Sequence, residues 1–335
     1  MRWLVTGSAG FIGFHLARRL LADGHEVVGL DGFTPYYDLS LKEARHAILE
    51  KSNRFRGYRL MLEDREALDA LWAAEHIDRI VHLAAQAGVR HSLEQPRSYV
   101  ESNIIGTFNL MELIRARPVE HFMLASTSSV YGANTQMPFH ETDRADHPLT
   151  IYAASKKATE LMTHSYAHLF AIPTTAFRFF TVYGPWGRPD MALFKFTRAA
   201  LAGEALDIFN GGDMQRDFTY IDDLIESIVR LSDAVPQRSM TAGSSDEDSA
   251  SPAAPFRVVN IGGGVPVPLM DYVKAMEAAL QIKARYNFLP MQQGDFKSSD
   301  ASPALLQKLT GYRPQTKVSE GVAAFVAWYR NYYAV

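Results

Sequence analysis

The 335-residue chain contains no cysteine. This absence excludes disulfide bonds, thiolate catalysis and zinc sites that use cysteine ligands. The 11 histidines do not fall into HExxH or a comparable metal-binding spacing. We therefore expect no metal site, and any chemistry must come from other side chains or from a bound cofactor.

The sequence also has little net charge, because 34 basic residues face 37 acidic ones and give a formal charge of -3. Such a balance argues against nucleic acid or an anionic membrane surface as a partner. There is no run of about 18 apolar residues that could span a bilayer. The opening segment MRWLVTGSAGFIG lacks the apolar core and small-residue cleavage site of a signal peptide. We expect a cytoplasmic protein.

Short apolar runs alternate with amphipathic stretches through the first half of the chain. The predicted strands are Arg2–Thr6, Glu26–Asp31, Tyr58–Met61, Arg79–Leu83, His121–Ser126, Thr174–Phe179 and Arg257–Ile261. The predicted helices are Phe14–Asp23, Arg65–Glu75, Tyr99–Arg117 and Tyr152–Phe170. This alternation predicts an α/β fold with a doubly wound, parallel Rossmann-type sheet covered by helices on both faces.

A glycine-rich turn joins the first predicted strand to the first predicted helix. Gly7, Gly10 and Gly13 form a GxxGxxG pattern there. The three glycines permit a tight turn, a close approach of the backbone to a pyrophosphate, and close packing of helix on strand. The pattern, in this context, predicts a dinucleotide site.

The second predicted strand ends at Asp31, where a carboxylate can accept both hydroxyl groups of an adenosine ribose. The next residue is Gly32 and not an arginine that could bind a 2′-phosphate. This favours NAD over NADP, although Lys42 and Arg45 follow nearby.

After about residue 180 the pattern becomes irregular and rich in turns. We expect an NAD-binding domain over 1–178, to which 218–235 and 257–262 return, and a smaller ligand-binding lobe from 179–217 and 263–335. Residues 236–256 are poor in apolar side chains and rich in Ser, Ala, Asp and Pro, which is typical of a surface loop.

Tyr152 and Lys156 are spaced i and i+4, so they share one face of a predicted helix. A free tyrosine, with a pKa near 10, is a poor base at neutral pH. An adjacent ammonium group and a positive nicotinamide both favour tyrosinate, so the pair makes a plausible general base.

Six motifs occur in a characteristic order: GSAGFIG, HLAAQAGVR, ASTSSVYG, YAASKKATE, FFTVYGPWGRPDM and RDFTYIDD. In this the chain resembles, from residue 1 to about 300, the extended short-chain dehydrogenase/reductases, the family of NAD-dependent epimerases and dehydratases. The resemblance implies that Thr127, Tyr152 and Lys156 form a catalytic triad. Thr127 would hydrogen-bond the 4-hydroxyl of a sugar, Tyr152 would take its proton, and Lys156 would hold the nicotinamide ribose and lower the pKa of the tyrosine.

The same resemblance implies a set of NAD contacts. They are Gly7, Gly10, Phe11, Ile12, Gly13, Asp31, Lys42, Leu62, Asp64, Leu83, Ala84, Ala85, Gln86, Asn103, Tyr152 and Lys156. Relatives often carry a DxxD arrangement at the adenine, where this chain has Met61-Leu62-Glu63-Asp64. Only Asp64 matches an acid of that pattern, and backbone groups around Leu62 could replace the missing contact.

Two segments bear on the reaction. Dehydratases and decarboxylating synthases of the family usually have an acid before VYG, where this chain has Ser128 and Ser129, and this favours simple epimerisation. The segment TVYGPWGRPDM resembles hexuronate epimerases, whereas UDP-glucose/galactose epimerases commonly have Asn in place of Thr181. The resemblance implies that Thr181, Ser128 and Arg188 bind the C5 carboxylate of UDP-glucuronate, since a guanidinium with two hydroxyls suits a planar carboxylate.

The expected activity is therefore 4-epimerisation of UDP-glucuronate to UDP-galacturonate through a 4-keto intermediate, with hydride stored transiently on NAD. The alternatives are a UDP-glucuronate decarboxylase, a sugar-nucleotide 4,6-dehydratase, a UDP-glucose 4-epimerase, and a non-catalytic NAD-sensing protein. The last class commonly loses the YxxxK pair that this chain keeps.

Further residues are implied on the nucleotide side of the substrate. Arg216 and Arg90 match family positions beside the diphosphate, and Asp295 could reach the nucleotide ribose. Each could equally form an ion pair between domains. The family likeness also implies a homodimer packed through the helices around 99–117 and 152–170.

Overall fold

The structure, a computed structural model, describes residues 1–238, 248–292, 294 and 296–335. Its strands are β1 (Arg2–Thr6), β2 (Glu26–Asp31), β3 (Phe55–Arg59), β4 (Arg79–His82), β5 (His121–Thr127), β6 (Thr174–Phe179), β7 (Thr181–Tyr183), β8 (Ala205–Phe209), β9 (Gln215–Tyr220), β10 (Phe256–Ile261), β11 (Pro266–Pro268), β12 (Arg285–Leu289) and β13 (Ser298–Ser299).

The α-helices are α1 (Phe11–Ala22), α2 (Leu39–Leu49), α3 (Arg65–Ala74), α4 (His91–Glu94), α5 (Pro96–Tyr99), α6 (Gly106–Ala116), α7 (Ile151–Phe170), α8 (Ala192–Leu201), α9 (Ile221–Leu231), α10 (Leu269–Leu280), α11 (Ala304–Thr310) and α12 (Val318–Tyr333). A π-helical segment, Val100–Ile105, joins α5 to α6. No helix in these described ranges is long and apolar enough to cross a membrane.

Seven parallel strands form the central sheet in the order β3-β2-β1-β4-β5-β6-β10. The doubly wound parallel sheet is therefore confirmed. From β1 the chain adds β2 and β3 toward one edge of the sheet. It then crosses back to β4, on the other side of β1, and adds strands toward the opposite edge. Ligands of such sheets bind where the order reverses, beyond the carboxyl ends of the strands.

The two faces of this sheet carry separate apolar cores, because successive strand side chains point to opposite sides. Val5 belongs to the core under α1 and α9, together with Phe14 and Ile228. Its neighbour Leu4 belongs to the core under α3, α6 and α7, together with Phe122. Both faces are buried, so the strands are nearly continuous apolar runs.

The remaining elements form a smaller layer. Strands β7, β9, β11 and β13 make one small sheet, and β8 pairs with β12. Helices α8, α10 and α12 pack around an aromatic core that includes Tyr183, Phe194, Tyr272 and Phe325. Helix α9 packs on α1, and β10 forms an edge of the large sheet. The division into two domains stays a prediction.

The structure corrects three sequence-based boundaries. The third strand is Phe55–Arg59, and not Tyr58–Met61, because Leu60 and Met61 leave the sheet and line a cavity. The first helix begins at Phe11, directly after the glycine turn. The predicted helix over 99–117 is broken by the π-helical segment.

The loop predicted over 236–256 lies partly outside the described residues, which exclude 239–247. The described part is not wholly a surface loop, because Ala250 and Ala254 are buried against the sheet edge. Asp248 holds it there through a 3.1 Å contact between its Oδ1 and Nε of Arg257. Composition alone did not reveal that these small side chains fill the edge of a core.

Candidate active site

The glycine turn between β1 and α1 has a conformation that other residues would not fit. Gly7 has a φ of +72°, and a Cβ there would lie 2.9 Å from the backbone nitrogen of Ala84. A Cβ on Gly13 would overlap the carbonyl of Gly7. Gly10 is the N-cap of α1 and no side chain caps this helix, so its first N–H groups are available to an anion.

A cavity of about 210 Å³ lies beyond the carboxyl ends of the strands, at the reversal of strand order. Most of the predicted NAD contacts line it: Gly7, Gly10, Phe11, Ile12, Gly13, Asp31, Lys42, Leu62, Leu83, Ala84, Ala85, Gln86, Tyr152 and Lys156. Asp64 and Asn103 are the predicted contacts that do not line this cavity in the described chain. Sequence reasoning missed several lining residues, among them Tyr36, Met61 and Ser126.

The carboxylate of Asp31 is buried and held by three donors. Its Oδ2 accepts a hydrogen bond from the Ala9 N–H at 3.1 Å, and its Oδ1 accepts from the Phe33 N–H at 2.8 Å. Lys42 Nζ lies 3.3 Å from Oδ1 and offsets the negative charge. The arrangement fixes a carboxylate at the end of β2, where it would repel a 2′-phosphate but accept from a ribose.

The adenine end of the cavity is mainly apolar. Leu60, Met61 and Leu62 line it, and the Leu62 carbonyl already accepts a hydrogen bond from Asn109 Nδ2 at 3.0 Å. Asp64 instead caps α3, accepting from the Ala67 N–H at 3.1 Å. The structure therefore assigns Asp64 to the start of a helix, because a carboxylate there satisfies exposed N–H groups.

Asn103 acts behind the cavity wall. Its Oδ1 accepts from the Gln86 N–H at 2.7 Å, and its Nδ2 donates to the Gln86 carbonyl at 3.1 Å and to Ser155 Oγ at 2.9 Å. These bonds occupy the amide and join the wall after β4 to α7. Asn103 therefore positions the wall and α7 relative to each other.

Tyr152 and Lys156 project from the first turns of α7, whose start is capped by Thr150. Burial raises the pKa of Tyr152, while a hydrogen bond with Thr127 and the positive charge of Arg188 lower it. The structure thus brings Thr127, Tyr152 and Arg188 together.

Lys156 is buried, and its Nζ donates to the Ala125 carbonyl at 2.7 Å. Burial lowers the pKa of Lys156 to about 8, against the opposing charge of Glu160. In this structure Thr127 and Arg188 lower the pKa of Tyr152, while the Lys156 ammonium donates to a carbonyl of β5, and the role expected of Lys156 toward Tyr152 stays a prediction.

A buried ion pair supports α7 from beneath. Glu160 accepts from Ser126 Oγ at 2.6 Å and lies 2.9 Å from Arg178 Nη2. Burial would raise the pKa of Glu160, but the charge and hydrogen bonds of Arg178 lower it to about 2. Sequence reasoning missed Glu160, although it stands four residues beyond Lys156 and so on the same helix face.

The serines that replace the acid before VYG are arranged differently from each other. Thr127 Oγ1 donates to Ser129 Oγ at 3.2 Å, so Ser129 adjoins the threonine that is predicted to be catalytic. Ser128 is buried and lines a second cavity of about 300 Å³ with Tyr131 and Lys297. The structure therefore does not bring Ser128 into the cavity lined by Tyr152.

Arg188 lines the main cavity and also a small adjoining one of about 30 Å³ that Thr181 lines. Its guanidinium is already paired, with Nε 3.0 Å from Asp190 Oδ1 and Nη2 2.6 Å from Oδ2. The hydroxyl of Tyr36 donates to Asp190 Oδ2 at 3.1 Å. Sequence reasoning missed Asp190 and Tyr36, although Asp190 follows Arg188 by two residues in the quoted motif.

Of the residues predicted beside the nucleotide, Arg90 and Arg216 do not line the main cavity in the described chain. Arg216 Nη2 donates to the Phe296 carbonyl at 2.7 Å, and its Nη1 donates to the Lys297 carbonyl at 3.0 Å. The guanidinium of Arg90 lies 5.1 Å from the ring centroid of Phe209. Asp295 lies outside the described residues. Arg216 therefore links β9 to residues 296–297 through these hydrogen bonds.

Comparison with known proteins identifies the family of this chain and relatives whose reaction is named. A model of the NAD dependent epimerase/dehydratase family matches residues 3–243. A probable UDP-glucuronate 4-epimerase of Rhizobium meliloti (strain 1021) is 59% identical over 334 residues, which cover 99% of this chain and 98% of that protein. UDP-glucuronate 4-epimerase 4 of Arabidopsis thaliana is 44% identical, with 99% of this chain and 76% of that protein covered.

A solved structure has a similar fold over the whole chain. The UDP-glucuronic acid 4-epimerase of Bacillus cereus, in complex with UDP-glucuronic acid and NAD, superposes with a TM-score of 0.86 at 32% sequence identity. The match covers 99% of this chain and 100% of that one.

Proposed function

The chain belongs to the NAD dependent epimerase/dehydratase family, and we propose that it interconverts UDP-glucuronate and UDP-galacturonate by epimerisation at C4. The relatives named above as UDP-glucuronate 4-epimerases support this reaction. One observation carries it: the base candidate Tyr152 and the guanidinium of Arg188 face one cavity, close enough for the charge to lower the pKa of the phenol.

The residues present fit NAD as cofactor. The uncapped start of α1 and the glycine turn would hold its pyrophosphate, and Asp31 would accept the adenosine ribose hydroxyls. Lys156, which has one backbone partner, would bind the nicotinamide ribose. When bound, NAD accepts a hydride from C4 of the sugar and returns it.

Tyr152 takes the proton from the 4-hydroxyl as the C4–H bond breaks, and gives a proton back when the 4-keto group is reduced. Thr127 orients the 4-hydroxyl, since its own hydroxyl is within hydrogen-bonding reach of Tyr152.

Oxidation at C4 makes glucuronate a β-keto acid, which loses CO2 readily when the C–C bond to the carboxylate aligns with the ketone π system. An epimerase must hold the carboxylate out of that alignment while the sugar turns. Arg188 and Thr181, which line one small cavity beside the main one, are the proposed holders. A guanidinium binds a carboxylate in a fixed plane, which suits this task.

The dehydratase alternative lacks a catalyst in the described chain. An elimination needs a general acid or base beside C5, and the position before VYG holds Ser128 and Ser129. The acids that line the main cavity in the described chain are Asp31, which ends β2, and Glu63, which follows β3. Both lie on the other side of the strand reversal from Tyr152.

Incubation of the purified protein with UDP-glucuronate tests the proposal. We expect UDP-galacturonate to form without added reductant, without net NADH and with little CO2. Substrate deuterated at C4 should keep its label, because the same hydride leaves and returns. Release of the label into solvent, or CO2 as the main product, would contradict the proposal.

We also propose that two copies pack through α6 and α7. These helices lie side by side. Together with the end of the π-helical segment they expose the apolar side chains Ile105, Phe108, Leu161 and Leu169, with Leu161 60% and Leu169 67% exposed. Light scattering should report a dimer that Leu161→Glu converts to a monomer. Lys274→Glu, on exposed α10, is the matched control and should leave the dimer intact.

A further inference from the structure

The backbone that precedes Arg188 is held from outside by two helices. His15, on α1, has its Nε2 2.9 Å from the Pro185 carbonyl. Arg45, on α2, donates from Nη2 to the Trp186 carbonyl at 2.5 Å and to the Gly187 carbonyl at 3.3 Å. Three successive carbonyls are therefore bound by side chains that belong to the cofactor-binding half of the molecule.

The other side of the same guanidinium reaches the glycine turn. Arg45 Nη1 donates to the Ala9 carbonyl at 3.0 Å and to the Tyr37 hydroxyl at 3.0 Å. Ala9 lies between Gly7 and Gly10 in that turn. One side chain thus joins the turn that would hold the pyrophosphate to the loop that carries Arg188.

The environment of Arg45 is unusual for a buried cation. Arg45 is 0% exposed, and the hydrogen bonds described for it go to three carbonyls and one phenol. Buried charges are ordinarily paired with an opposite charge, because desolvation is costly. The nearby carboxylate of Asp31 is instead paired with Lys42. The planar guanidinium of Arg45 holds its N–H donors in fixed directions, so it can bind several converging carbonyls at once. The ammonium group of a lysine would not match this geometry.

The loop that Arg45 holds is conformationally strained. Trp186 has a φ of +61°, a left-handed conformation that a bulky residue rarely adopts. Its indole packs 5.3 Å from the ring of Phe14 and 5.3 Å from that of Trp328. Such conformations persist only where the surroundings over-determine them. Loss of the Arg45 bonds should therefore let the backbone relax and move Arg188.

We propose that Arg45 is a positioning residue for carboxylate recognition: it fixes the loop of Arg188 against the glycine turn and so sets where the guanidinium meets the substrate. Arg45 does not line the main cavity in the described chain, so it acts through Arg188 and not by touching substrate. The inference rests on the proposed function, because it takes the Arg188 ligand to be the C5 carboxylate of a UDP-hexuronate.

The test compares Arg45→Met and Arg45→Lys with the wild type. Binding of UDP-glucuronate should weaken by about 10- to 10²-fold in Arg45→Met, the scale of a displacement near 1 Å, and by less in Arg45→Lys. Binding of UDP-glucose, which has no carboxylate, should stay unchanged. Bound NAD should be retained, because Gly7 N–H still donates to the Leu30 carbonyl at 2.6 Å and Ala9 N–H to Asp31. Arg65→Met, at an exposed i,i+4 ion pair, is the control.

A double-mutant cycle with Arg188→Ala separates positioning from general stability. If Arg45 acts through Arg188, then Arg45→Met should cause no further loss of carboxylate discrimination in the Arg188→Ala background. Equal weakening of both sugar nucleotides, loss of NAD, or full additivity in the cycle would overturn the inference. If Arg45→Met does not fold, Arg45→Lys must still show selective weakening toward UDP-glucuronate. A wild type that binds UDP-glucuronate without epimerising it would contradict the proposed function alone.

Discussion

The cofactor end and the substrate end of the main cavity are built in different ways. At the cofactor end, one continuous stretch, 7–13, presents backbone N–H groups at a helix start that no side chain caps. At the substrate end, Arg188 lines the cavity and is already paired with Asp190. Arg216, which does not line this cavity in the described chain, donates to the carbonyls of Phe296 and Lys297.

This difference bears on how each end recognises its ligand. A pyrophosphate meets donors that need no rearrangement, so local backbone geometry is enough for binding. A hexuronate carboxylate must share Arg188 with Asp190 or displace it, and its affinity is then a difference between two ion pairs. Specificity at the substrate end therefore depends on residues that do not themselves bind the sugar.

The largest effect is expected for Tyr152, the proposed general base, which lies between the two ends of the cavity. Tyr152→Phe should reduce turnover of UDP-glucuronate by about 10²- to 10⁴-fold, the usual range for a general base, while NAD stays bound. Steady-state kinetics and the cofactor content of the purified protein check this. Near-normal turnover in this variant would refute the mechanism. Loss of NAD would show that Tyr152 contributes to cofactor binding.

The next effect concerns the buried ion pair between Glu160 on α7 and Arg178 on β6. Glu160→Gln leaves Arg178 without its buried partner and should lower the free energy of unfolding by about 3 kcal/mol. Urea denaturation at neutral pH measures it. Glu43→Gln, which breaks an exposed pair with Arg59, is the matched control and should change little.

The same pair predicts a pH dependence. The pKa of Glu160 is about 2 in the folded protein, below its ordinary value of 4.5, so its contribution to stability is present above pH 4.5 and is lost as the pH falls toward 2. The gap in unfolding free energy between wild type and Glu160→Gln should narrow over this acid range. A constant gap would mean that the carboxylate charge is not the stabilising feature.

A smaller and more selective effect is expected at Arg188. Arg188→Ala should weaken UDP-glucuronate binding by about 1.5–3 kcal/mol, the range for a charge-assisted contact. UDP-glucose should bind about as before, and the ratio of UDP-4-keto-pentose to epimer should rise, because the carboxylate of the 4-keto sugar can rotate. Calorimetry and product analysis measure both. Equal loss for the two sugar nucleotides would make Arg188 structural and leave only an unspecified UDP-hexose as substrate.

The smallest effect tests whether Asp190 competes with the substrate carboxylate for Arg188. Asp190→Asn removes the negative charge that holds Arg188, so UDP-glucuronate should bind more tightly by about 1 kcal/mol, roughly 5-fold. UDP-glucose is the control ligand and should not respond. Weaker binding of UDP-glucuronate would show that Asp190 orients the guanidinium for substrate instead of competing with it.

Much of the cofactor end could be predicted from the sequence because its signals are local. Gly7, Gly10 and Gly13 must be glycines for reasons of backbone geometry, and Asp31 ends the strand beside them. The family inferred from six ordered motifs is confirmed by the match over 3–243 and by the relatives. The individual site residues stay predictions, including Asp295, whose place is not described.

Other roles could not be read from the chain, because they depend on side chains that are distant in sequence. Asp64 matched a family pattern, but the start of α3 takes its carboxylate. Ser128 and Ser129 are adjacent, yet Ser128 lines a second cavity whereas Ser129 accepts a hydrogen bond from Thr127. Arg45 attracted notice only as a nearby charge, and its partners at Ala9 and Trp186 lie far apart in the sequence.

The sequence by itself determined the strand and helix alternation, the dinucleotide turn and the spacing of Tyr152 and Lys156, since each follows from periodicity or backbone geometry within a few residues. The tertiary structure alone decided which charges are free to meet a ligand. Pairing of Arg188 with Asp190, of Glu160 with Arg178, and of Arg45 with three carbonyls depends on where packing places these groups. Burying a charge without a partner is costly, so buried charged groups bind suitable groups nearby. Only the packed fold defines which groups are near.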